Sequence, residues 1–262
     1  GLGPFTLAGL LYLGAALAVL PAARSGGSLA LATSPRNVRL MGGAVLFGGI
    51  VGPVLLLFGL QQAPAASVSL WLNLETIATA VLAWLFFKED MAPGTWLAVL
   101  LVLAGSIALA LPFVPSTALA IALLSGAALA WGLDNNLTSL IDGFTPAQST
   151  LVKGLVAGSV NLGIGVLVEG HLPLWDEGGR HLIAALALGG LGYGASLVLY
   201  VRGAQHLGAT RSQLIFAAAP FFGMVVAWSL LGEPVLWLQG LAALLMGTGI
   251  VLMLRDPHGH QH

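Results

Sequence analysis

The 262-residue chain has no cysteine, so it carries no disulfide framework, no thiolate metal site and no cysteine nucleophile. Charge is nearly as scarce. Asp, Glu, Lys and Arg make up 7% of the residues, against roughly a quarter in soluble domains, and no water-exposed surface can be built from so few. That scarcity excludes a soluble enzyme, a nucleic-acid binder and a disordered chain together. The formal net charge of -1 says nothing about partners. No nucleotide-binding glycine loop, His-Glu-x-x-His, Gly-x-Ser-x-Gly or paired Asp-rich motif occurs, so no cofactor or catalytic metal is called for and the chain does not read as an enzyme. With no ATPase segment, uphill movement of a solute would need an ion or substrate gradient.

What is present is apolar. Apolar side chains account for 58% of the residues and glycine for 36 positions, enough for nine or ten membrane spans of roughly 20 residues each. Apolar runs fall at about 3–22, 40–60, 65–87, 93–112, 116–136, 147–168, 182–201, 208–231 and 236–254. Short turn-rich connectors such as Ser34-Pro35-Arg36-Asn37 and Trp175-Asp176-Glu177-Gly178-Gly179 separate them, and none is long enough for a soluble domain. The first residue is Gly1 and no signal peptide is visible, so the chain reads as a fragment or processed form without its original start.

The basic residues orient the spans. Arg24, Arg36, Arg39, Lys88, Arg202, Arg211 and Arg255 fall in connectors of one side, Arg180 alone on the other, and Lys153 inside a span. Such a bias makes the first side cytoplasmic, with the C-terminus inside and Gly1 outside.

The second half echoes the first. Glu89 and Glu233, Trp84 and Trp228, and Gly105 and Gly249 are each 144 positions apart, and Gly48-Gly49 is answered by Gly189-Gly190 at 141. Spans two to four therefore map onto seven to nine. Five spans is an odd displacement, so the copies lie in opposite senses, as in many secondary transporters whose site sits at midplane between the repeats.

Leu72-Asn73-Leu74-Glu75-Thr76, then Ala83-Trp84-Leu85-Phe86-Phe87-Lys88-Glu89, and in the second half Ala218-Ala219-Pro220-Phe221-Phe222 with Leu231-Gly232-Glu233-Pro234, resemble the EamA type of the drug/metabolite transporter superfamily. The resemblance implies an all-α polytopic membrane protein of two inverted five-helix repeats. Here it implies nine helices with the first missing: a first repeat at 1–112, a second at 113–255 and a His-containing cytoplasmic tail at 256–262. Leu133-Asp134-Asn135-Asn136-Leu137-Thr138 and the stretch from Lys153 to Asn161 look like an uncharacterised bacterial branch whose members often continue into a His-rich tail.

Polar groups within spans need a reason, since a charge at the bilayer centre costs roughly 2.5–3.5 kcal/mol on insertion scales. Glu75 lies about halfway along the third span and would either bind a substrate amine and exchange a proton, or take hydrogen bonds within the protein. Asn73 and Thr76 continue a polar stripe from Ser69, although Glu75 is about 200° round the helix from Asn73. Adding 144 carries Ser69 to Gln213 and Thr76 to Pro220, which frees a carbonyl in the eighth span. Phe216 and Tyr193 are near enough to reach the same cavity, or serve packing. Asp134 and Asn135 near the cytoplasmic end of the fifth span, and Lys153 about two turns into the sixth, come to similar depth; they form a gate pair, or else Lys153 snorkels. Gly48 and Gly52, Gly154 and Gly158, and Gly190 and Gly194 have the spacing of close helix packing. His258, His260 and His262 form only a weak metal motif.

The expected function is secondary active transport of a small metabolite or drug-like solute across the bacterial inner membrane by alternating access, in the efflux direction, coupled to a proton or ion. Spans two, three, five, seven and eight would line the cavity, with four and nine outside it or pairing two copies into a homodimer. The alternatives are a divalent metal-related exporter and a non-transporting membrane enzyme or receptor of the same fold. Partners are the solute and the lipid bilayer, not nucleic acid.

Overall fold

A computed structural model describes residues 2–26, 34–63, 68, 71–109, 117–170, 177–219, 229 and 237–255. Among them the regular structure is helical: α1 (Pro4–Ser25), α2 (Pro35–Leu60), α3 (Leu74–Phe86), α4 (Pro93–Leu109), α5 (Ala118–Ser139), α6 (Pro146–Val168), α7 (Gly179–Leu207), α8 (Ala209–Phe216) and α9 (Trp237–Arg255). Six of these are long and apolar enough to cross a membrane, and α3 and α4 are shorter apolar helices. Ser69, Pro220, Glu233 and the three tail histidines lie outside the described residues.

Local chemistry sets the helix ends. Ser34 accepts the Asn37 amide with Pro35 at the first helical position, so α2 begins five residues before its apolar run. Thr145 and Gln148 form a reciprocal capping box at the start of α6. The amides of Phe5 and Thr6 donate to the Glu169 carboxylate at 2.8 and 3.2 Å, so the end of α6 caps the start of α1. Gly208, at φ 86°, turns the chain between α7 and α8 beside Glu89, a conformation few other residues adopt.

On the arginine-bearing face the connector between α5 and α6, together with the first turn of α6, is tied down from three sides. Gln205 of α7 donates to the Ile141 and Phe144 carbonyls at 2.9 and 3.3 Å, and Gln148 donates to the Ala23 carbonyl at the end of α1. Arg36 pairs with Asp142 at 3.0 Å, and the Asn37 side chain, followed by the Arg36 charge, holds the Asp142 carboxyl below the usual carboxylate range against an opposing desolvation.

Small residues decide how the helices meet, because lipid gives apolar side chains no reason to leave it and close contact must do the work. The most extensive contact is α1 on α6. There a Cβ at Gly9 would lie 2.6 Å from Leu162 N, and one at Gly158 would lie 2.8 Å from Leu13 Cγ. The two contacts are equivalent, since Gly158 lies 149 positions after Gly9 and Leu162 149 after Leu13, as a two-fold axis between the helices requires. The crossing of α4 and α9 repeats the pattern: a Cβ at Gly105 would lie 2.9 Å from Ala242 O, and one at Gly249 would lie 2.9 Å from Ala98 O. Here the offset is 144 for both. Gly105→Ala and Gly249→Ala should each cost about 1–3 kcal/mol by overpacking. Gly247→Ala, whose Cβ meets nothing within 4 Å, should leave the melting temperature unchanged or raise it slightly. Equal melting of all three would show that the crossing is loose.

Helices α2 and α7 are interrupted at equivalent places. Each contains one π-helical stretch, Val45–Val51 and Gly189–Gly194, and the two glycine pairs 141 positions apart lie in them. The wider turn breaks the i to i−4 ladder and leaves carbonyls for other donors.

Candidate functional site

A cavity of about 220 Å³ lies between the halves. Its walls follow helical spacing. From α5 come Trp131, Asp134, Asn135 and Thr138, at steps of three and four along one face, and from α7 come Tyr193, Ser196, Leu197, Tyr200 and Val201. Helices α1, α3 and α6 contribute Tyr12, Glu75 and Lys153, and α8 contributes Gln213 and Phe216.

Asp134, Asn135 and Asn136 are consecutive, so each points about 100° from the last and finds a different partner. Asp134 pairs with Lys153 of α6 and accepts from Thr138 one turn on, and the two charged side chains are only 8% and 7% exposed. Asn136 donates to the carbonyls of Thr79 and Gly132 at 3.0 and 2.8 Å. Asn135 turns its amide nitrogen to three acceptors: Glu75 Oε1 at 2.9 Å, Thr79 Oγ1 at 3.0 Å and Gln213 Oε1 at 3.2 Å. That cluster joins α3 of the first repeat to α8 of the second through α5.

The π-helical stretch of α2 stands behind the wall and fixes its side chains by backbone carbonyls. Gly48 O accepts from Tyr12 Oη at 2.6 Å and from Trp131 Nε1 at 3.1 Å, and Gly49 O accepts from Asn161 Nδ2 at 2.7 Å. With no Cβ at Gly48 the Asp134 carboxylate comes directly against the helix. Tyr12 meets Tyr193 edge to face at 5.6 Å between ring centres, and Tyr200 meets Phe216 likewise at 5.6 Å. Tyr200 Oη is buried and, among the described residues, has no hydrogen-bond partner.

Seven of the residues singled out in the sequence therefore line one cavity: Glu75, Asp134, Asn135, Lys153, Tyr193, Gln213 and Phe216. Asn73 and Thr76 do not. Asn73 ends at the first turn of α3, and Thr76 is 4% exposed on the neighbouring face, because a helix that aims Glu75 into the cavity turns both away. Helix α2, expected to line the space, supplies none of its lining residues and instead holds Tyr12 and Trp131 from behind, and α1 and α6 take its place. Sequence reasoning passed over Tyr12, Trp131, Thr138, Ser196, Leu197, Tyr200 and Val201. One signal was available: the chain has only three tyrosines, two of them, Tyr12 and Tyr193, lie mid-run rather than at the interface where tyrosine usually sits, and all three line the cavity. Among the described residues no three His, Asp or Glu side chains gather as a metal site.

The chain is similar over 219 residues, at 27% identity, to an uncharacterized transporter of Methanothermobacter thermautotrophicus. The match takes in 79% of this chain and 62% of that protein, so the chain spans under two thirds of its relative's length. A solved crystal structure superposes with a TM-score of 0.75 at 17% identity, over 96% of this chain and 87% of the other, which is a likeness of fold. Residues 1–111 and 118–255 match the EamA-like transporter family, and with nearly the whole chain matched to it, the protein belongs to that family.

Proposed function

We propose that the protein is a secondary active transporter that carries a small metabolite out across the bacterial inner membrane by alternating access, with the arginine-rich face and the C-terminus in the cytoplasm. The observation that carries this reading is the Asn135 cluster. An amide nitrogen has two hydrogens and here faces three acceptors, so it serves at most two of Glu75, Thr79 and Gln213 at once and the third is open to another donor. A protonated amine or hydroxyl of the solute supplies the missing hydrogen, and so does a proton on Glu75. Solute and proton thus compete for one place, which is the requirement for exchanging them.

Size supports the metabolite over the drug-like compound. Pockets for drug-sized ligands run about 300–1,000 Å³, above the 220 Å³ of this cavity. A non-transporting protein would instead keep its interior filled and its acceptors matched one to one.

The test is flux of a metabolite panel in proteoliposomes under an imposed pH gradient, on the protein and on Glu75→Gln. A hydrogen bond to a charged group is worth about 1.5–3 kcal/mol, so the variant should lose about 10-fold to 150-fold of the flux and its pH dependence, with an unchanged melting temperature. Absence of flux for every compound with the wild-type chain sinks the proposal, and so does a Glu75→Gln variant with the pH profile of the wild type.

A further inference from the structure

A second, larger space of about 360 Å³ lies between α2 and α6 and is wholly separate in its lining from the cavity above. One wall is the stripe Val38, Gly42 and Leu46 of α2, and the other is Val152 and Val156 of α6, with Phe144 closing the end next to the arginine-bearing face. Val38, Leu46 and Val156 are 54%, 47% and 46% exposed, so the space opens sideways, where a membrane-spanning bundle meets lipid. It is a place the fold does not need. At the equivalent contact in the other half, α7 packs directly on α1: a Cβ at Gly14 would run into the Leu186 backbone, whereas one at Gly163, the equivalent position of α6, would meet nothing within 4 Å. A Cβ at Gly42 would meet nothing within 4 Å.

Length and charge say what fits. From Val38 to Ile50, the far end of the lining, the helix rises about 18 Å at 1.5 Å per residue, close to the roughly 15 Å of hydrocarbon in one leaflet. Arg39 stands three and seven positions before Gly42 and Leu46, so it tops the same stripe. It is exposed, its Nε donates to the Pro35 carbonyl toward the helix start, and among the described residues no carboxylate pairs with it. The nearby Arg36 is already paired, and the acid at this level, Asp142, is its partner. An open arginine over a one-leaflet apolar groove is complementary to a single lipid with a negative headgroup.

We infer that this groove is a binding site for one anionic phospholipid of the arginine-side leaflet, an acyl chain lying between α2 and α6 and the phosphate at Arg39. Its occupant is bilayer lipid, so the site is independent of what the central cavity carries.

The test is native mass spectrometry of the full chain, delipidated in detergent and titrated with dioleoylphosphatidylglycerol or dioleoylphosphatidylcholine. The first phosphatidylglycerol should bind about five-fold tighter than the first phosphatidylcholine, one basic residue near a charged surface being worth about that factor. Arg39→Gln should bring the two lipids to parity, while Arg24→Gln, at the end of α1, should leave the preference intact. Gly42→Phe should fill the groove and remove the first bound lipid of either kind at unchanged melting temperature, and Val156→Trp does the same from the opposite wall should Gly42→Phe not fold. Equal affinity of the wild type for both lipids overturns the inference. So does a preference that survives Arg39→Gln, or a first lipid that binds both filled variants as it binds the wild type.

Discussion

Exchanging Lys153 for methionine is expected to cost about 3–5 kcal/mol of stability, on the order of 10 °C in melting temperature for a chain of this size. Methionine keeps most of the lysine's volume and removes only the charge. Asp134 is then left 6% exposed, with the Thr138 hydroxyl as its remaining partner, in an interior where an unpaired carboxylate is strongly disfavoured. The decisive comparison is the double variant Asp134→Asn with Lys153→Met. Having neither charge, it should recover most of the loss, since the cost lies in breaking the pair rather than in lacking it. A Lys153→Met protein that melts with the wild type would mean that water in the cavity solvates Asp134, and the pair would then be a wetted one.

Gly48→Ala is expected to do comparable damage by a different route. The added methyl group would occupy the position of the Asp134 carboxylate, so either that carboxylate leaves Lys153 or α2 moves away from α5. Moving α2 would strip Tyr12 and Trp131 of the carbonyl they share. Overpacking alone costs about 1–3 kcal/mol and the disturbed pair adds to it, so a loss of about 3 kcal/mol or more should be read from melting in detergent. Two controls separate this from a general intolerance of alanine. Gly42→Ala, two turns earlier in the same helix with open space at its Cβ, should be neutral or slightly stabilising. In a background of Asp134→Ala with Lys153→Met, where the obstructing carboxylate is gone, Gly48→Ala should cost little. If it costs as much there as in the wild type, the close approach of Asp134 is not the reason for glycine at this position.

Much of the fold was readable in the sequence because hydrocarbon imposes a single rule, that apolar runs of span length become helices. Some errors fall inside apolar runs, where α3 starts only at Leu74 after the turn at Asn73 and α8 stops at Phe216, and others where polar residues continue a helix past its run, which hydropathy cannot register. Ser34 and Pro35 start α2 ahead of Leu40, and Arg202, Gln205 and His206 carry α7 on to Leu207. The pairing of Asp134 with Lys153 was legible from their depth on antiparallel neighbours. The glycine pairs at 48–49 and 189–190 were legible as a repeat, but not as π-helical stretches, since one extra residue in a turn leaves apolar periodicity nearly unchanged. Hence the role of Tyr12 and Trp131 was hidden: their acceptor is a carbonyl that exists only once the turn has widened. The Asn135 cluster was half visible, with Glu75 and Gln213 marked as polar intrusions and nothing in the spacing to say that one amide would bridge them.

That widened turn also changes what kind of instruction the protein carries at this point. An acceptor made by a side chain is encoded by a codon and can be lost or altered by a single substitution. The acceptor for Tyr12 and Trp131 belongs to the peptide unit, which every residue shares, so no replacement at position 48 deletes it. What the genome must preserve there, besides the small residue that keeps α2 in place, is register: an inserted or removed residue upstream in α2 would rotate the carbonyl out of the aromatic wall while leaving each of those residues in place.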